Sequence, residues 1–325
     1  MIIPPVYRLT DDIVSLLTSI EANKSVIDSL QIPVEIEENI RRQSTLKSSL
    51  FSARIEGNDL SLDDVSMRPS KDQKKAEVYN ILKSLGYLRK NEKKDFTYSE
   101  LLKLHEIAMK GLLADAGKLR REPSATFNSA GIAIYMHPPF SQVEKLTKKL
   151  IKFIHSDKGK FIPIKAALAH YSFEKIHPFL DGNGRIGRLL MQKVLMHGGY
   201  GMKGLLAIEE YIDSHRSEYY RALEEPEKDC TDYLLFMLES IDEASKKARA
   251  QIIDKQAATV EDYLLPRRAE IYNIIRDQKL VNFDRIRRRF SNVNERTLRY
   301  DLKKLQDKEL IRKRGTTNGV YYEVI

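Results

Sequence analysis

His177-Pro178-Phe179-Leu180-Asp181-Gly182-Asn183-Gly184-Arg185-Ile186-Gly187-Arg188 is the stretch on which the reading of this 325-residue chain turns. A helical pattern from Ile164 to Ile176 runs into it. Pro178 disfavours helical geometry at His177, so the histidine stands at a helix exit. Asp181-Gly182-Asn183-Gly184 is turn chemistry, built from residues that tolerate unusual backbone angles. A second helix is expected from about Arg185, apolar through Leu189, Leu190, Val194 and Leu195. Backbone N–H groups in a Gly-Asn-Gly turn that opens a helix make a concave anion site. Arg185 and Arg188, three apart, project from one side of the first helical turn.

These parts suit nucleotidyl or phosphoryl transfer, which needs charge neutralisation and in-line positioning more than covalent participation. Gly182, Asn183 and Gly184 would cradle phosphate oxygens, and Arg185 and Arg188 would clamp the outer phosphates. Asp181 would hold Mg²⁺, a hard ion that takes few protein carboxylates and shares the nucleotide's oxygens. His177 would take a proton from an attacking hydroxyl near neutral pH. A solvated helix–helix turn would explain Asp-Gly-Asn-Gly alone. It does not explain a histidine four residues before Asp181 and arginines four and seven after it.

The twelve residues match the Fic motif His-x-Phe-x-(Asp/Glu)-Gly-Asn-Gly-Arg-x-x-Arg at every fixed position, so the chain resembles the Fic family. That resemblance implies a mainly α-helical fold: a Fic-type core with a short β-hairpin flap. It implies transfer of AMP from Mg-ATP to a Tyr, Thr or Ser hydroxyl of a target protein. His177 would be the base, Asp181 the magnesium ligand, and Gly182, Asn183, Gly184, Arg185, Ile186, Gly187 and Arg188 the nucleotide-contacting run.

Two further segments extend the likeness. Ser52-Ala53-Arg54-Ile55-Glu56-Gly57 reads by itself as a helix end capped by Gly57. It also matches the family's inhibitory helix, (Ser/Thr)-x-x-x-Glu-(Gly/Asn), whose glutamate pairs with the motif's second arginine. The resemblance implies that Ser52, Glu56 and Gly57 are inhibitory residues, with Glu56 expected on Arg188 in the seat of the γ-phosphate. The run from Ala207 to Leu223 resembles the segment that closes over the nucleotide base. Tyr219 keeps that pattern and is expected to line the ATP site, whereas His215 replaces the usual Asn. Two alternatives stay open: removal of AMP from a modified target, and a DNA-binding regulator whose core senses nucleotide.

Composition sets the class. Hydrophobic residues make 42% of the chain and charged residues 31%, the balance of a soluble globular protein. Cys230 is the single cysteine, so no intrachain disulfide forms. The first twelve residues lack a signal-peptide pattern, and no apolar run approaches the roughly 20 residues that span a bilayer. A cytoplasmic location without a membrane partner is expected. The formal charge is +9, and residues 264–325 hold 16 Lys+Arg against 8 Asp+Glu. Such an asymmetry marks a separate basic module.

The expected organisation is an N-terminal helical region over 1–95, a catalytic core over 96–245, a helical linker over 246–263 and a module over 264–325. In the first region a helix restarts at Leu60 to Asp64 behind Ser61, and in the core Ser99 caps a helix. Thr126-Phe127 and Ile132 to Tyr135 form a hairpin turning at Asn128 to Gly131. By itself it is an edge ribbon; by resemblance it is the Fic flap, which would lay a target's backbone beside the site by strand addition. The last module reads helix 266–278, helix 283–290, turn 291–294, helix 295–307 and a hairpin tipped at Gly315 to Gly319. It resembles a winged helix-turn-helix. Arg285, Arg287, Arg288, Arg289, Arg296, Arg299, Lys303, Arg312, Lys313 and Arg314 would meet DNA phosphates there, or stay solvated on a module that docks a protein or joins two chains in a homodimer. His105, His155, His170 and His197 read as structural, and His137, beside the flap, as a candidate substrate contact.

Overall fold

A computed structural model describes residues 1–32, 34–65, 72–127, 131–157, 161–256, 264–291, 293–315 and 319–325. Two adjoining helices are built almost wholly from core residues and carry the rest of the larger compact unit. In chain order the elements are α1 (Asp11–Ser29), α2 (Val34–Ile55), α3 (Gln73–Lys90), α4 (Tyr98–Ala108), β1 (Ala125–Phe127), β2 (Ala133–Met136), α5 (Phe140–Ile154), α6 (Ile162–Ile176), α7 (Asn183–His197), α8 (Ile208–Ser214), α9 (Arg216–Glu224) and α10 (Thr231–Gln256). Helix α6 buries Ile164, Ala166, Leu168, Ala169, Phe173 and Ile176, which face more than one side. A helix apolar all round belongs in a core, and α6 packs against α5 and α7. Burying each large aliphatic side chain contributes about 1.5–3 kcal/mol.

Local chemistry sets the boundaries. Thr97 caps α4 in a reciprocal capping box with Glu100, so the cap is not Ser99, which lies inside the helix. The stretch at Ser61 to Asp64 is a turn rather than a restarted helix, because the Ser61 hydroxyl and amide both bond the Asp64 carboxylate. Strands β1 and β2 pair antiparallel, Thr126 opposite Tyr135, as the expected hairpin. The hairpin's turn at Asn128 to Ala130 lies outside the described residues.

Residues 1–30 and 41–250 form one compact unit, and residues 31–40 and 251–325 a second. The boundary expected at 95/96 is therefore not a boundary of packing. The second unit holds α11 (Pro266–Gln278), β3 (Val281–Asn282), α12 (Phe283–Arg289), α13 (Glu295–Asp307), β4 (Ile311–Arg314) and β5 (Tyr321–Val324). Its sheet runs β3-β5-β4, antiparallel throughout, over a core of Ile271, Ile275, Ile286, Leu298, Leu302 and Leu305. The fold is a winged helix-turn-helix, with β3 adding a strand too short to read from sequence. Asp301 is buried between Arg267 Nε at 2.5 Å and Arg268 Nε at 2.9 Å, which fastens α13 to α11. Parts of the expected linker (257–263), of the helix-connecting turn (Asn292) and of the wing tip (316–318) lie outside the described residues. No described helix is long and apolar enough to cross a membrane.

Candidate active site

His177 ends α6 in the left-handed region, φ 50 and ψ 62, a costly conformation for a residue with a Cβ. Its amide still donates to Phe173 O at 2.9 Å. Gly182, at φ 81, supplies the second left-handed position, and a Cβ there would lie 2.6 Å from Met109 Sδ. Between them Asn183 clasps the turn: its Oδ1 accepts from Phe179 N and its Nδ2 donates to Phe179 O, both at 2.9 Å. Asn183 is thus the first residue of α7, two residues before the expected start, and its side chain is spent on the turn rather than on a ligand. His105 braces the same turn. Its ring stacks on Phe179 with centroids 3.7 Å apart. Because Gly117 N donates to His105 Nδ1, the ring proton sits on Nε2 and donates to Asp181 O at 3.0 Å.

A cavity of about 510 Å³ opens beside this turn, within the range of small-molecule sites. His177, Gly184 and Arg188 line it, with Glu56, Glu174, Tyr219 and flap residues including Tyr135 and His137. Arg188 is 1% exposed. Its Nε donates to Ser52 Oγ at 3.0 Å, and its Nη2 to Ser52 O and Glu56 Oε1, both at 2.8 Å. Nη1 is buried without a partner. Glu56 Oε1 lies so close over the turn that a Cβ on Gly184 would be 2.3 Å from it. Gly57, at φ 97, lets the chain leave α2 directly after Glu56.

The first arginine of the motif is engaged elsewhere. Arg185 Nη1 donates to Glu77 Oε1 on α3 at 2.6 Å, and Nη2 to Asp181 Oδ1 at 3.0 Å. It is not among the cavity's lining residues, and in this state it organises the turn instead of facing a phosphate. Ile186 is a core side chain at 0% exposure, so only its backbone is available to a nucleotide. Gly187 abuts Glu174, whose Oε1 would be 2.0 Å from an added Cβ. Asp181 is 59% exposed, with Oδ1 held by Gly182 N and Arg185. Among the described residues no group of three or more His, Cys, Asp or Glu could cage a metal. A single exposed carboxylate beside a phosphate-sized turn does fit Mg²⁺, which shares its coordination with a nucleotide and water.

Burial pushes the His177 imidazole down to about 4, helped by the Arg120 cation, so the ring is neutral and able to accept a proton. His137 stacks on it, centroids 4.2 Å apart, and is itself pushed down to about 3, chiefly by burial. Ser124 Oγ and Thr126 Oγ1 hold its two ring nitrogens at 2.9 and 3.2 Å. Tyr219 lies on the cavity wall at 1% exposure, its hydroxyl 3.2 Å from His170 Nε2. His215 is not on that wall. It separates α8 from α9, stacks on Tyr211 and has Nδ1 2.9 Å from Tyr211 O.

Three residues here carry no sequence signal: Arg120, Glu77 and Glu174. Glu174 Oε1 is buried without a hydrogen bond, 3.7 Å from His170 Nε2, and burial pushes its carboxyl up to about 8. An unfolded glutamate titrates near 4.3. The folded state therefore keeps a proton that the unfolded chain releases, and stability is lost as pH rises from about 4 through about 8. Between pH 4 and pH 8 the stability difference between Glu174→Gln and wild type is expected to move by about 2–4 kcal/mol in the variant's favour. Thermal melts across that range check this, and a gap that stays constant refutes it.

Residues 95–195 match the model of the Fic/DOC family, which marks a Fic domain in that part of the chain. The chain is 25% identical over 197 residues to the protein adenylyltransferase Fic of Drosophila yakuba and equally to that of Drosophila melanogaster. Those matches take in 57% of this chain and 39% of each relative, so the likeness spans about two fifths of the curated proteins. A solved Fic family protein from Desulfovibrio desulfuricans shares the fold across 99% of this chain and 98% of its own, with a TM-score of 0.69 and 24% identity. Fic-1 from C. elegans shares it over 75% of this chain and 72% of its own, with a TM-score of 0.59 and 20% identity.

Proposed function

We propose that this protein transfers AMP from ATP to a hydroxyl of a target protein, and that Glu56 restrains the transfer. The observation that carries the reading is Arg188: a buried cation on the cavity, its Nη2 held by Glu56 and its Nη1 without a hydrogen-bond partner. A nucleotide's terminal phosphate is the anion that would satisfy it. The neutral His177 takes the proton of the target's Tyr, Thr or Ser hydroxyl as that oxygen bonds the α-phosphorus. The bond to the β-phosphate oxygen breaks and pyrophosphate leaves. Asp181 would hold Mg²⁺, which would offset phosphate charge when bound. The N–H groups at Asn183 and Gly184 suit the α- and β-phosphate oxygens, whereas Gly182 N is bonded to Asp181 Oδ1. With Glu56 on Arg188, ATP lacks that anchor and sits poorly for in-line attack.

Intact-mass spectrometry of the Glu56→Gly protein after ATP and Mg²⁺ tests this, since each transfer to the chain's own hydroxyls adds one AMP. No adduct under any nucleotide concentration would refute it. Incubation of wild type with an AMP-modified target separates this reading from the reverse reaction.

The charge pattern of the second unit favours a nucleic-acid partner. The buried face of α13 carries Leu298, Asp301, Leu302 and Leu305, while Arg296, Arg299, Tyr300 and Lys303 share its exposed face. Acids take up other cations nearby: Arg287 meets Glu295 at 2.6 Å, Arg289 meets Glu270 at 3.0 Å, and Arg312 and Arg314 share Glu323. Arg299 of the stripe also reaches Glu295, at 3.9 Å, so Arg296 and Lys303 carry its charge, and we infer that the stripe lies in the major groove of duplex DNA. Binding is expected to fall with salt at a log–log slope of about −4, and Arg296→Ala with Lys303→Ala to reduce that slope by about 2. Absence of any gel shift at low salt would overturn the inference.

A further inference from the structure

Arg120 lies in the loop before the hairpin and is 4% exposed. Among the described residues its guanidinium meets no carboxylate; every bond goes to a backbone carbonyl. Nε donates to His177 O at 2.7 Å, Nη1 to Glu122 O at 2.7 Å, and Nη2 to Pro138 O at 2.6 Å and Ile176 O at 3.4 Å. The Arg120 amide adds a bond to Pro178 O at 2.9 Å. Glu122 precedes β1 and Pro138 follows β2. One cation therefore joins both feet of the hairpin to the carbonyl of the histidine at the helix exit.

The hairpin's inward face repeats the attachment. Tyr135 takes Lys175 Nζ over its ring at 4.3 Å, and two residues on, His137 stacks on His177. Alternate residues of β2 and its exit thus seat on alternate residues at the end of α6. An arginine gives up its hydration for such a seat only when its donors are replaced by well-placed acceptors. Here the acceptors belong to two segments that must keep register with each other.

We propose that Arg120 is a positioning residue that fixes the hairpin and His177 relative to one another, so that a target strand laid on the hairpin meets an already aligned base. Its catalytic consequence rests on the AMP-transfer reading; the coupling itself does not. Lysine keeps the charge but cannot span three carbonyl directions, and glutamine loses both charge and reach.

The test compares Arg120→Lys and Arg120→Gln, each alone and with Glu56→Gly. Hydrogen exchange at the His137 amide, which donates to Ser124 O at 3.0 Å, reads the hairpin without any activity. It is expected to speed up by about tenfold or more in Arg120→Gln and less in Arg120→Lys, while α7 amides stay unchanged. Transfer by the Glu56→Gly background is expected to lose about 100-fold in kcat on Arg120→Gln, with ATP affinity within about threefold, since a small misplacement of a catalytic group has that cost. Unchanged exchange at His137, unchanged kcat, or a kcat loss matched by equal loss of ATP affinity would each overturn the proposal. If the Glu56→Gly parent transfers no AMP at all, the AMP-transfer reading fails, and the exchange measurement still decides whether Arg120 couples hairpin to histidine.

Discussion

Replacing His177 by alanine is expected to cut AMP transfer by about 1,000-fold or more while leaving ATP affinity within about threefold. General base catalysis by a positioned imidazole contributes about 10²–10⁴-fold, and the environment here keeps the ring in its proton-accepting form at any pH above about 4. The groups proposed to hold the phosphates lie elsewhere on the cavity, at Gly184 and Arg188. Loss of the ring therefore removes an interaction made in the transition state and spares those made by the ground state. Calorimetric titration of ATP beside a labelled-AMP transfer assay checks both halves. A His177→Ala protein that fails to bind ATP would place the imidazole in nucleotide recognition instead.

Glu56→Gly is the second large effect: self-modification is expected to rise by about 100-fold. Glu56 makes a charge-assisted bond to a guanidinium that is 1% exposed, although its own side chain is 27% exposed and partly screened. Bonds to charged groups contribute about 1.5–3 kcal/mol, or about 10- to 150-fold in competition with a phosphate for the same donor. Arg188 does not collapse when Glu56 goes, because Ser52 still holds Nε and Nη2. The variant should remain folded and bind ATP more tightly. Equal rates for wild type and variant at saturating ATP would show that the carboxylate does not govern productive binding.

The parts of this protein that could be read in advance are those whose chemistry is local. The motif turn is written in consecutive residues: Pro178 ends one helix, and Gly182 supplies a backbone angle that side chains resist. The helices of the second unit follow their apolar period, so α11 and α13 fall where the pattern puts them. Capping failed for a physical reason. Thr97 and Ser99 are both good caps two residues apart, and only the reciprocal bond with Glu100 selects Thr97.

What stayed hidden depends on pairing across distance. Arg120 meets His177 across 57 residues, and Arg185 meets Glu77 across 108. Neither arginine differs locally from a solvated one. The engagement of Arg185 by two carboxylates also explains why it does not stand free on the cavity as the bare motif suggests. Glu174 was one polar residue in a helical pattern until packing closed around it.

The closeness of Glu56 to Gly184 ties two opposite lesions to a single codon. On the reading proposed above, a methyl group at residue 184 would claim the space of the Glu56 carboxylate, 2.3 Å from where its carbon must go, and would also crowd the proposed phosphate seat. Escape from restraint through this position therefore damages the machinery it sets free. Mutants that run unchecked should arise instead on the α2 side, where the lock can be lost without harming what it guards.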